Sequence, residues 1–208
     1  MTGVQTCALP ISARFLAATY GCRVVGVDLM PEYCAAAREL ARWVKLDRLV
    51  EFQAGDALAL PCADRAFDVA WTQHVAMNIA DKSRLYAEIA RVLAPGGRLA
   101  LYDVVQGPGG AVVYPMPWAA DESISFLVPP GELRYLLANA GFAIEHWHDA
   151  TAAARAWLDE IERERAASKT PPPPHPLLGA DAAAIRANLR RNLDEHRIAL
   201  VEAVCRRG

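Results

Sequence analysis

The sequence lacks several features that would point to particular partners. Its 208 residues carry a net charge of −2, so no basic excess attracts nucleic acid or an anionic membrane surface. No apolar run reaches the roughly 18–20 residues that cross a bilayer. The N-terminus has no basic segment before its short apolar stretch, as a secretory signal would. We therefore expect a cytoplasmic protein without nucleic-acid or membrane partners, of unknown oligomeric state.

Paired cysteines are also missing. The chain has five cysteines, an odd number, and none forms a CxxC pair. This excludes a disulfide framework, predicts no metal site and is typical of reduced thiols in the cytosol. The cysteines are Cys7, Cys22, Cys34, Cys62 and Cys205.

The first half of the chain alternates strand and helix patterns. Four short apolar runs predict strands, and stretches with apolar residues at helical spacing separate them. Strict alternation of this kind predicts one α/β domain with a doubly wound, mostly parallel sheet. The strands are predicted at Arg23–Asp28, Leu49–Ala54, Phe67–Thr72 and Arg98–Val104, and the helices at Ala13–Tyr20, Pro31–Lys45 and Lys82–Leu93.

The second half has a different organisation. Residues 107–130 are rich in glycine, proline and aromatic residues and predict a long inserted loop. Four prolines, Pro171 to Pro174, predict a stiff connector. A tight turn at Asp194–His196 predicts that the last strand, Arg197–Cys205, runs antiparallel to the others. The remaining elements are predicted as helices Gly131–Ala140, Thr151–Ala167 and Asp181–Leu193 and strand Phe142–Asp149.

Acidic residues follow two of the predicted strands. Asp28 ends one strand, and Gly55-Asp56-Ala57 follows the next. Ligands of open α/β sheets bind beyond the carboxyl ends of the strands, where Asp28 could accept ribose hydroxyls and Asp56 an adenine amine. Simpler interpretations stay open, because Asp28 precedes a helix that starts near Pro31 and Gly-Asp is common in turns.

Two further segments follow in order. Phe67-Asp68-Val69-Ala70-Trp71-Thr72-Gln73-His74 is a buried strand that ends in polar residues, of which His74 is either a base or an exposed loop histidine. Leu93-Ala94-Pro95-Gly96-Gly97-Arg98-Leu99 is a turn leading into a strand. The second segment has no candidate catalytic or binding residue. Its distance along the sequence from the other segments nevertheless helps to define the pattern.

These four segments, in this order, resemble class I methyltransferases that use S-adenosylmethionine. The resemblance covers roughly residues 13–105 and implies that cofactor. It implies that Asp28 holds the ribose and that Asp56 and the Ala57 backbone read the adenine edge. The cofactor-binding residues that it implies are Asp28, Leu29, Met30, Gly55, Asp56, Ala57, Thr72 and Gln73, the last two near the methionine portion.

The segment after Gln73 is similar to a small-molecule branch that includes sarcosine and dimethylglycine N-methyltransferases. Asn78 stands where that branch often has a histidine. The resemblance implies displacement at the sulfonium methyl by a small-molecule acceptor, with a base needed only if the acceptor must lose a proton. His74 is the candidate catalytic base, with Tyr102 and Asp103 nearby. Candidate substrate residues are Tyr102, Tyr114 and Trp118.

The family's first strand and GxGxG turn are expected at about residues 1–11. Met1–Ile11 holds one glycine and matches the translation of a widely used sequencing-adapter oligonucleotide. We therefore interpret this segment as foreign, with Ser12 near the junction and the methyltransferase domain, a fragment, spanning residues 12–208. Val4–Ala8 could fill the strand position without supplying bare backbone, so S-adenosylmethionine is expected to bind poorly or not at all.

Two other functions stay open at this point. A nicotinamide-dependent dehydrogenase also places an acid after its second strand. A methyltransferase-like domain that binds a partner without catalysis would share the same pattern.

Overall fold

The computed structural model describes residues 2–5, 10–167 and 181–208. The predicted connector Pro171–Pro174 lies outside these residues. The described part forms a seven-stranded sheet in the order β3-β2-β1-β4-β5-β7-β6. The strands are β1 Thr2–Gln5, β2 Arg23–Asp28, β3 Val50–Ala54, β4 Phe67–Gln73, β5 Leu93–Gln106, β6 Phe142–Asp149 and β7 Ile198–Arg207.

The direction of the last strand confirms the sequence prediction. Strands β1 to β5 pair in parallel, whereas β7 pairs antiparallel with both β5 and β6. The short turn after α6 returns the chain directly to the sheet, which a parallel connection of that length cannot do. The sheet is therefore mixed and Rossmann-like.

Six helices accompany the sheet. They are α1 Pro10–Tyr20, α2 Pro31–Trp43, α3 Lys82–Val92, α4 Pro130–Asn139, α5 Thr151–Ala167 and α6 Ala182–Asp194. Proline occupies the first turn of α2 and α4, where a missing N–H costs nothing. Asp81 caps α3 by accepting a hydrogen bond from the Arg84 N–H at 2.9 Å. The predicted helices are all present, with ends shifted by a few residues.

Strand β5 begins earlier than predicted. Leu93 already pairs with Phe67, and the register shifts before Val69 pairs with Arg98. The predicted turn Pro95–Gly97 is thus an irregularity inside a long strand, with Gly96 at a φ of 76°. A Cβ on Gly97 would lie 2.8 Å from the Ala94 carbonyl oxygen and 3.0 Å from that of Asp68, so this close approach needs glycine.

The central position of the sheet is occupied by β1. Thr2–Gln5 pairs with β2 on one side and β4 on the other, earlier in the chain than the predicted Val4–Ala8. Helix α1 starts at Pro10 and so includes the last two residues of the segment interpreted as foreign. The strand position is filled, and the foreign origin of residues 1–11 stays a prediction.

Three groups of buried side chains hold the layers together. The largest lies around β4, β5 and β7 and includes Leu93, Leu99 and Leu137. A second packs α1 and α2 on β2 and β3. The third contains Met77, Met116 and Leu193 and surrounds the carboxyl half of β5. The third group frames the candidate site.

Candidate active site

The two predicted acids lie at one edge of the sheet. Asp28 pairs with Ala54 in the β2–β3 ladder, and Asp56 follows two residues later. The Gly55 N–H donates to the Asp28 carbonyl oxygen at 2.8 Å, which ties the two strand ends together. We call residues 28–30 and 55–57 the acid corner.

Each acid of this corner closes a local turn. The Met30 N–H donates to Asp28 Oδ1 and the Leu58 N–H donates to Asp56 Oδ1, both at 2.8 Å. This agrees with the turn interpretation. No described residue donates to the second oxygen of either carboxylate, so each keeps an acceptor for a ligand hydroxyl or amine.

Other groups in the acid corner are also exposed or without a hydrogen-bond partner among the described residues. The Leu29 and Met30 side chains are 69% and 47% exposed, although they are large and apolar. No described residue accepts a hydrogen bond from the Ala57 N–H. An apolar surface, two free carboxylate oxygens and a free N–H are the groups that a bound adenosine would use. The β2 and β3 side of the corner therefore fits S-adenosylmethionine.

Gly55 has a packing role in this corner. A Cβ at that position would lie 2.6 Å from Pro61 Cδ and 3.2 Å from Val27 Cγ1. Its N–H is already donated to Asp28, so it offers no donor to a ligand. Gly55 therefore shapes the corner, and its place in the cofactor site stays a prediction.

The β1 side of the corner is different. Residues 6–9, between β1 and α1, lie outside the described part of the chain. Two buried donors nearby, Trp71 Nε1 and Arg14 Nη1, have no hydrogen-bond partner among the residues that the structure describes. Trp71 pairs with Gln5 across β1 and β4, and Arg14 belongs to α1. The described residues thus leave two buried donors beside β1 unsatisfied.

A cavity of about 760 Å³ opens beside the acid corner, above β4, β5 and β7 and under α5 and α6. We call it the apolar cavity, because most of its lining side chains are hydrocarbon or aromatic. Its lining residues are Tyr33, Gln73, His74, Met77, Asn78, Tyr102, Val104, Pro117, Trp118, Ala150, Ala153, Ala154, Trp157, Leu158, Leu189, Leu193, Ile198, Leu200 and Glu202.

The polar end of the apolar cavity lies where β4 ends. The His74 and Tyr102 ring centroids are 4.8 Å apart. The backbone N–H of His74 donates to the backbone carbonyl oxygen of Tyr102 at 2.9 Å. Glu202 faces Tyr102 across the β5–β7 ladder. Desolvation lowers the pKa of His74 below its ordinary value of 6.5. The imidazole is therefore mainly neutral at pH 7 and able to accept a proton.

Desolvation also raises the pKa of Tyr102, and the negative charge of Glu202 raises it further. The phenol consequently stays protonated near neutral pH and is a hydrogen-bond donor. His74 itself adopts a φ of 54°, in the left-handed region that is uncommon for residues other than glycine. Such conformations concentrate at functional sites.

The predicted site residues separate into two groups. Gln73, His74, Tyr102 and Trp118 line the cavity. Tyr114 packs among the side chains that frame the cavity but does not line it. Thr72 is buried and, because side chains alternate along β4, faces the opposite side from Gln73. The structure therefore does not bring the Thr72 or Tyr114 side chain into the cavity.

Asp103 does not lie at the cavity mouth, contrary to the sequence expectation. Its side chain is buried, accepting from the Ala76 N–H at 2.8 Å and the Val104 N–H at 3.0 Å. Burial raises its pKa to about 6, with Lys82 acting in the opposite direction. Asp103 holds the turn after β4 and has no access to a substrate.

Lys82 holds the same turn from the other side. Its buried Nζ donates to the Ala76 and Ile79 carbonyl oxygens at 2.6 and 2.7 Å. Burial lowers its pKa to about 8. The 3₁₀ turn Ala76–Asn78, which carries two lining residues, is thus fixed by a buried acid and a buried amine.

Asn78 joins that turn to the inserted loop. Its Nδ2 donates to the Trp118 carbonyl oxygen at 2.8 Å and to that of Ile124 at 3.2 Å. Trp118 Nε1 donates to Ser125 Oγ at 3.0 Å, which fixes the indole in the cavity wall. Asn78 therefore has a positioning role, because it holds the inserted loop against the turn after β4.

Sequence reasoning missed the wall contributed by α5. Ala150, Ala153, Ala154, Trp157 and Leu158 all line the cavity. Their spacing of three and four residues is the only sequence signal that could have found them. It identifies an apolar helix face without saying which surface that face covers.

Comparison with known proteins agrees with this geometry. A family model described as a methyltransferase domain matches residues 7–101. Demethylmenaquinone methyltransferase of Thermus thermophilus is 33% identical over 166 residues, covering 70% of this chain and 73% of that protein. The chain belongs to the class I S-adenosylmethionine-dependent methyltransferases.

Other relatives match over a shorter stretch. Tocopherol O-methyltransferase of Arabidopsis thaliana is 36% identical over 93 residues, 45% of this chain and 27% of that protein. Glycine/sarcosine/dimethylglycine N-methyltransferase of Actinopolyspora halophila is 39% identical over 92 residues, 44% of this chain and 16% of that protein. The chain spans only about a quarter of the length of the first and less of the second.

A solved structure supports the fold over the whole chain. Geranyl diphosphate C-methyltransferase from Streptomyces coelicolor A3(2), solved with Mg²⁺, geranyl diphosphate and S-adenosyl-L-homocysteine, superposes with a TM-score of 0.80. The match is 18% identical and covers 100% of this chain and 71% of that one. The Rossmann-like methyltransferase fold is therefore confirmed.

The two alternative functions find no support in these comparisons. A doubly wound dinucleotide-binding sheet has the parallel order 3-2-1-4-5-6, whereas here the antiparallel β7 lies between β5 and β6. The dehydrogenase hypothesis is therefore not supported. Among the described residues, no helix is long and apolar enough to cross a membrane, and no cluster of potential metal ligands occurs.

Proposed function

We propose that the chain is built to transfer a methyl group from S-adenosylmethionine to a small-molecule acceptor. One observation carries the proposal. The acid corner, at the ends of β2 and β3, and the polar end of the apolar cavity, at the end of β4, share one edge of the sheet. A cofactor held at the first would present its methyl group towards an acceptor held in the second.

The cofactor, when bound, supplies a methyl group that its sulfonium already activates for displacement. The chain contributes alignment and the exclusion of water, for which a largely apolar cavity is suited. We propose that Asp28 accepts the ribose hydroxyls and Asp56 the adenine amine, with Ala57, Leu29 and Met30 around the ring.

His74 is the proposed base for an acceptor group that carries a proton. It lines the cavity beside Tyr102, and desolvation lowers its pKa, which keeps the imidazole unprotonated at pH 7. Tyr102 and Trp118 are the proposed acceptor contacts, with Tyr114 supporting the wall from behind. An NMR titration of the His74 ring should give a pKa below 6.5. A value above 6.5 would contradict the desolvation of the ring in the cavity and, with it, this assignment.

The segment before α1 is proposed to weaken cofactor binding. Cys7-Ala8-Leu9-Pro10 contains no glycine, whereas the family uses bare backbone there to approach the cofactor. Pro10 also lacks an N–H. Four free cysteines in the described part, Cys22, Cys34, Cys62 and Cys205, support our further proposal of a cytoplasmic location.

Calorimetry with S-adenosylhomocysteine tests the cofactor part of the proposal. Weak binding by the chain is expected, and Asp28→Ala should weaken it by a further 1–3 kcal/mol, roughly the scale of a lost hydrogen bond to a charged group. Asp47→Ala is the matched control, because Asp47 is an exposed acid in the turn that precedes β3, at the opposite edge of the sheet. It should leave the affinity unchanged.

A glycine-restored variant tests the impairment separately. Cys7→Gly combined with Leu9→Gly returns bare backbone to the segment and should tighten binding. Unchanged affinity in that double variant would show that the segment does not limit binding. If Asp28→Ala made in this glycine-restored background binds as tightly as the background itself, the acid corner is not part of the cofactor site.

A further inference from the structure

The charges around the apolar cavity are unevenly distributed. Of its described lining residues, Glu202 is the one acid, and none is lysine or arginine. His74 is not a substitute for a cation, since desolvation lowers its pKa. Proteins bind carboxylate and phosphate groups with arginine, lysine or helix N-termini. An anionic acceptor would therefore meet Glu202 without a compensating cation.

The far end of the cavity is apolar on every side. Val104, Ile198 and Leu200 form its floor on the sheet, and Leu189 and Leu193 come from α6. Burying apolar surface against such walls is favourable in proportion to the area removed from water.

Helix α5 leaves its part of the wall incomplete. Trp157 lines the cavity, yet its side chain is 62% exposed. The helix has no buried residue among its described side chains. Its outer side is tied to α6 by ion pairs, with Arg155 Nη2 2.9 Å from Asp194 Oδ1 and Arg190 paired with Asp159. The apolar face of α5 is thus held over an open space by polar contacts on its other side.

We propose that the acceptor carries no negative charge and has an elongated apolar body, which lies between the β5–β7 face and helices α5 and α6. Its reactive group lies at the polar end, beside His74 and Tyr102. The proposal rests on the proposed function, because it takes the bound molecule to be the methyl acceptor. The binding preference itself can be measured without cofactor.

Matched small molecules test the charge preference. 4-Butylphenol and 4-butylbenzoate have the same apolar body and differ in a neutral hydroxyl against a carboxylate. Titrated separately into the full chain without cofactor, 4-butylphenol should bind at least tenfold more tightly. Lengthening the alkyl chain of the phenol should raise the affinity about threefold to fourfold per added methylene until the cavity is filled.

Variants assign the binding to this cavity. Trp157→Ala should weaken 4-butylphenol binding about fivefold to tenfold, since it removes an aromatic wall that is not part of the core. Trp43→Ala is the matched control, because Trp43 is 76% exposed at the end of α2 and lines no part of the cavity. Glu202→Lys should raise the affinity for 4-butylbenzoate at least fivefold and leave that for 4-butylphenol within twofold.

Three results would overturn the proposal. These are stronger binding of 4-butylbenzoate than of 4-butylphenol, no binding of either compound, and an equal effect of Trp157→Ala and Trp43→Ala. None of them bears on the cofactor, which is measured by S-adenosylhomocysteine and Asp28→Ala. Conversely, loss of cofactor binding with a retained preference for the phenol would contradict the proposed function and leave the cavity preference standing.

Discussion

The acid corner and the apolar cavity lie side by side at one sheet edge but are held by different interactions. The corner consists of two short turns, each closed by a backbone N–H that donates to an aspartate oxygen. The cavity is assembled from three strands, three helices, the 3₁₀ turn Ala76–Asn78 and an inserted loop, whose side chains pack into one another. Side chains of the corner are therefore available to a ligand, whereas many of those around the cavity also maintain the fold.

This difference shows which residues are available for binding and which are needed for stability. The two carboxylates of the corner can be replaced at little structural cost, because solvent and the local backbone already satisfy them. The buried polar residues near the cavity, Asn192 and Asp103, hold other groups in place, and their loss leaves those groups without partners. Four predictions follow this contrast from the largest expected effect to the smallest.

The largest effect is expected at Asn192, which joins α6 to the inserted loop. Its Oδ1 accepts from the Val113 N–H at 2.9 Å and its Nδ2 donates to the Val113 carbonyl oxygen at 2.8 Å. Asn192→Ala leaves both groups unpaired and should cost about 2–4 kcal/mol of unfolding free energy, measured by urea denaturation. Asn139→Ala, at an exposed helix end, is the control and should change stability little. A cost below about 1 kcal/mol would show that the loop is not anchored here.

The second prediction concerns the pH dependence of stability caused by Asp103. Its folded-state pKa of about 6 lies above the ordinary 3.8, so protonation favours the folded state. The stability that this provides is fully present below pH 3.8 and is lost as the pH rises through about 6. Relative to Asp103→Asn, the unsubstituted chain should therefore lose up to about 3 kcal/mol between about pH 4 and pH 7.

Denaturation of both proteins at several pH values provides the measurement. The amide introduced by Asp103→Asn cannot titrate, so a constant offset from its rearranged hydrogen bonds does not affect the slope. Lys82, whose pKa is about 8, changes charge above this window. Parallel stability curves for the two proteins would contradict the assignment of a raised pKa to Asp103.

The same contrast separates what could be predicted from the sequence from what could not. Each parallel strand ends where an apolar run meets polar residues, and parallel strands end at one edge. Asp28, Asp56 and His74 were therefore placed at that edge from local pattern alone. The antiparallel β7 followed from the short turn before it, which allows only one direction of return.

The cavity wall depends on tertiary docking and had no comparable signal. The spacing of Trp157 and Leu158 shows an apolar face on α5 but does not say that it faces β7. The face on which Thr72 lies is set by the register of β4 in the sheet, and one residue of shift would exchange it with Gln73. Asp103 was misplaced for a similar reason, because its burial depends on the turn that folds back over β5.

The third prediction tests the packing role of Gly55 within the acid corner. Gly55→Ala places a Cβ 2.6 Å from Pro61 Cδ, and such overpacking should cost about 1–3 kcal/mol. Gly131→Ala is the matched control, because a Cβ there meets nothing within 4 Å. In α4, alanine should stabilise the chain by about 0.5–1 kcal/mol. Thermal denaturation distinguishes the two variants. If Gly55→Ala is as stable as the unsubstituted chain, Pro61 can shift to accommodate the added methyl group at little cost.

The smallest stability effect is expected for Asp28→Asn. Asparagine keeps the oxygen that accepts from the Met30 N–H, and it loses only the carboxylate charge near the start of α2. The cost should stay below about 1 kcal/mol, the scale of a charge at a helix N-terminus. Affinity for S-adenosylhomocysteine should nevertheless fall, since one carboxylate oxygen is replaced by an amide that cannot accept a ribose hydroxyl. Asp47→Asn should change neither quantity. A loss of about 2 kcal/mol or more in Asp28→Asn would place Asp28 with the structural residues of the cavity, and the contrast between the two regions would no longer hold.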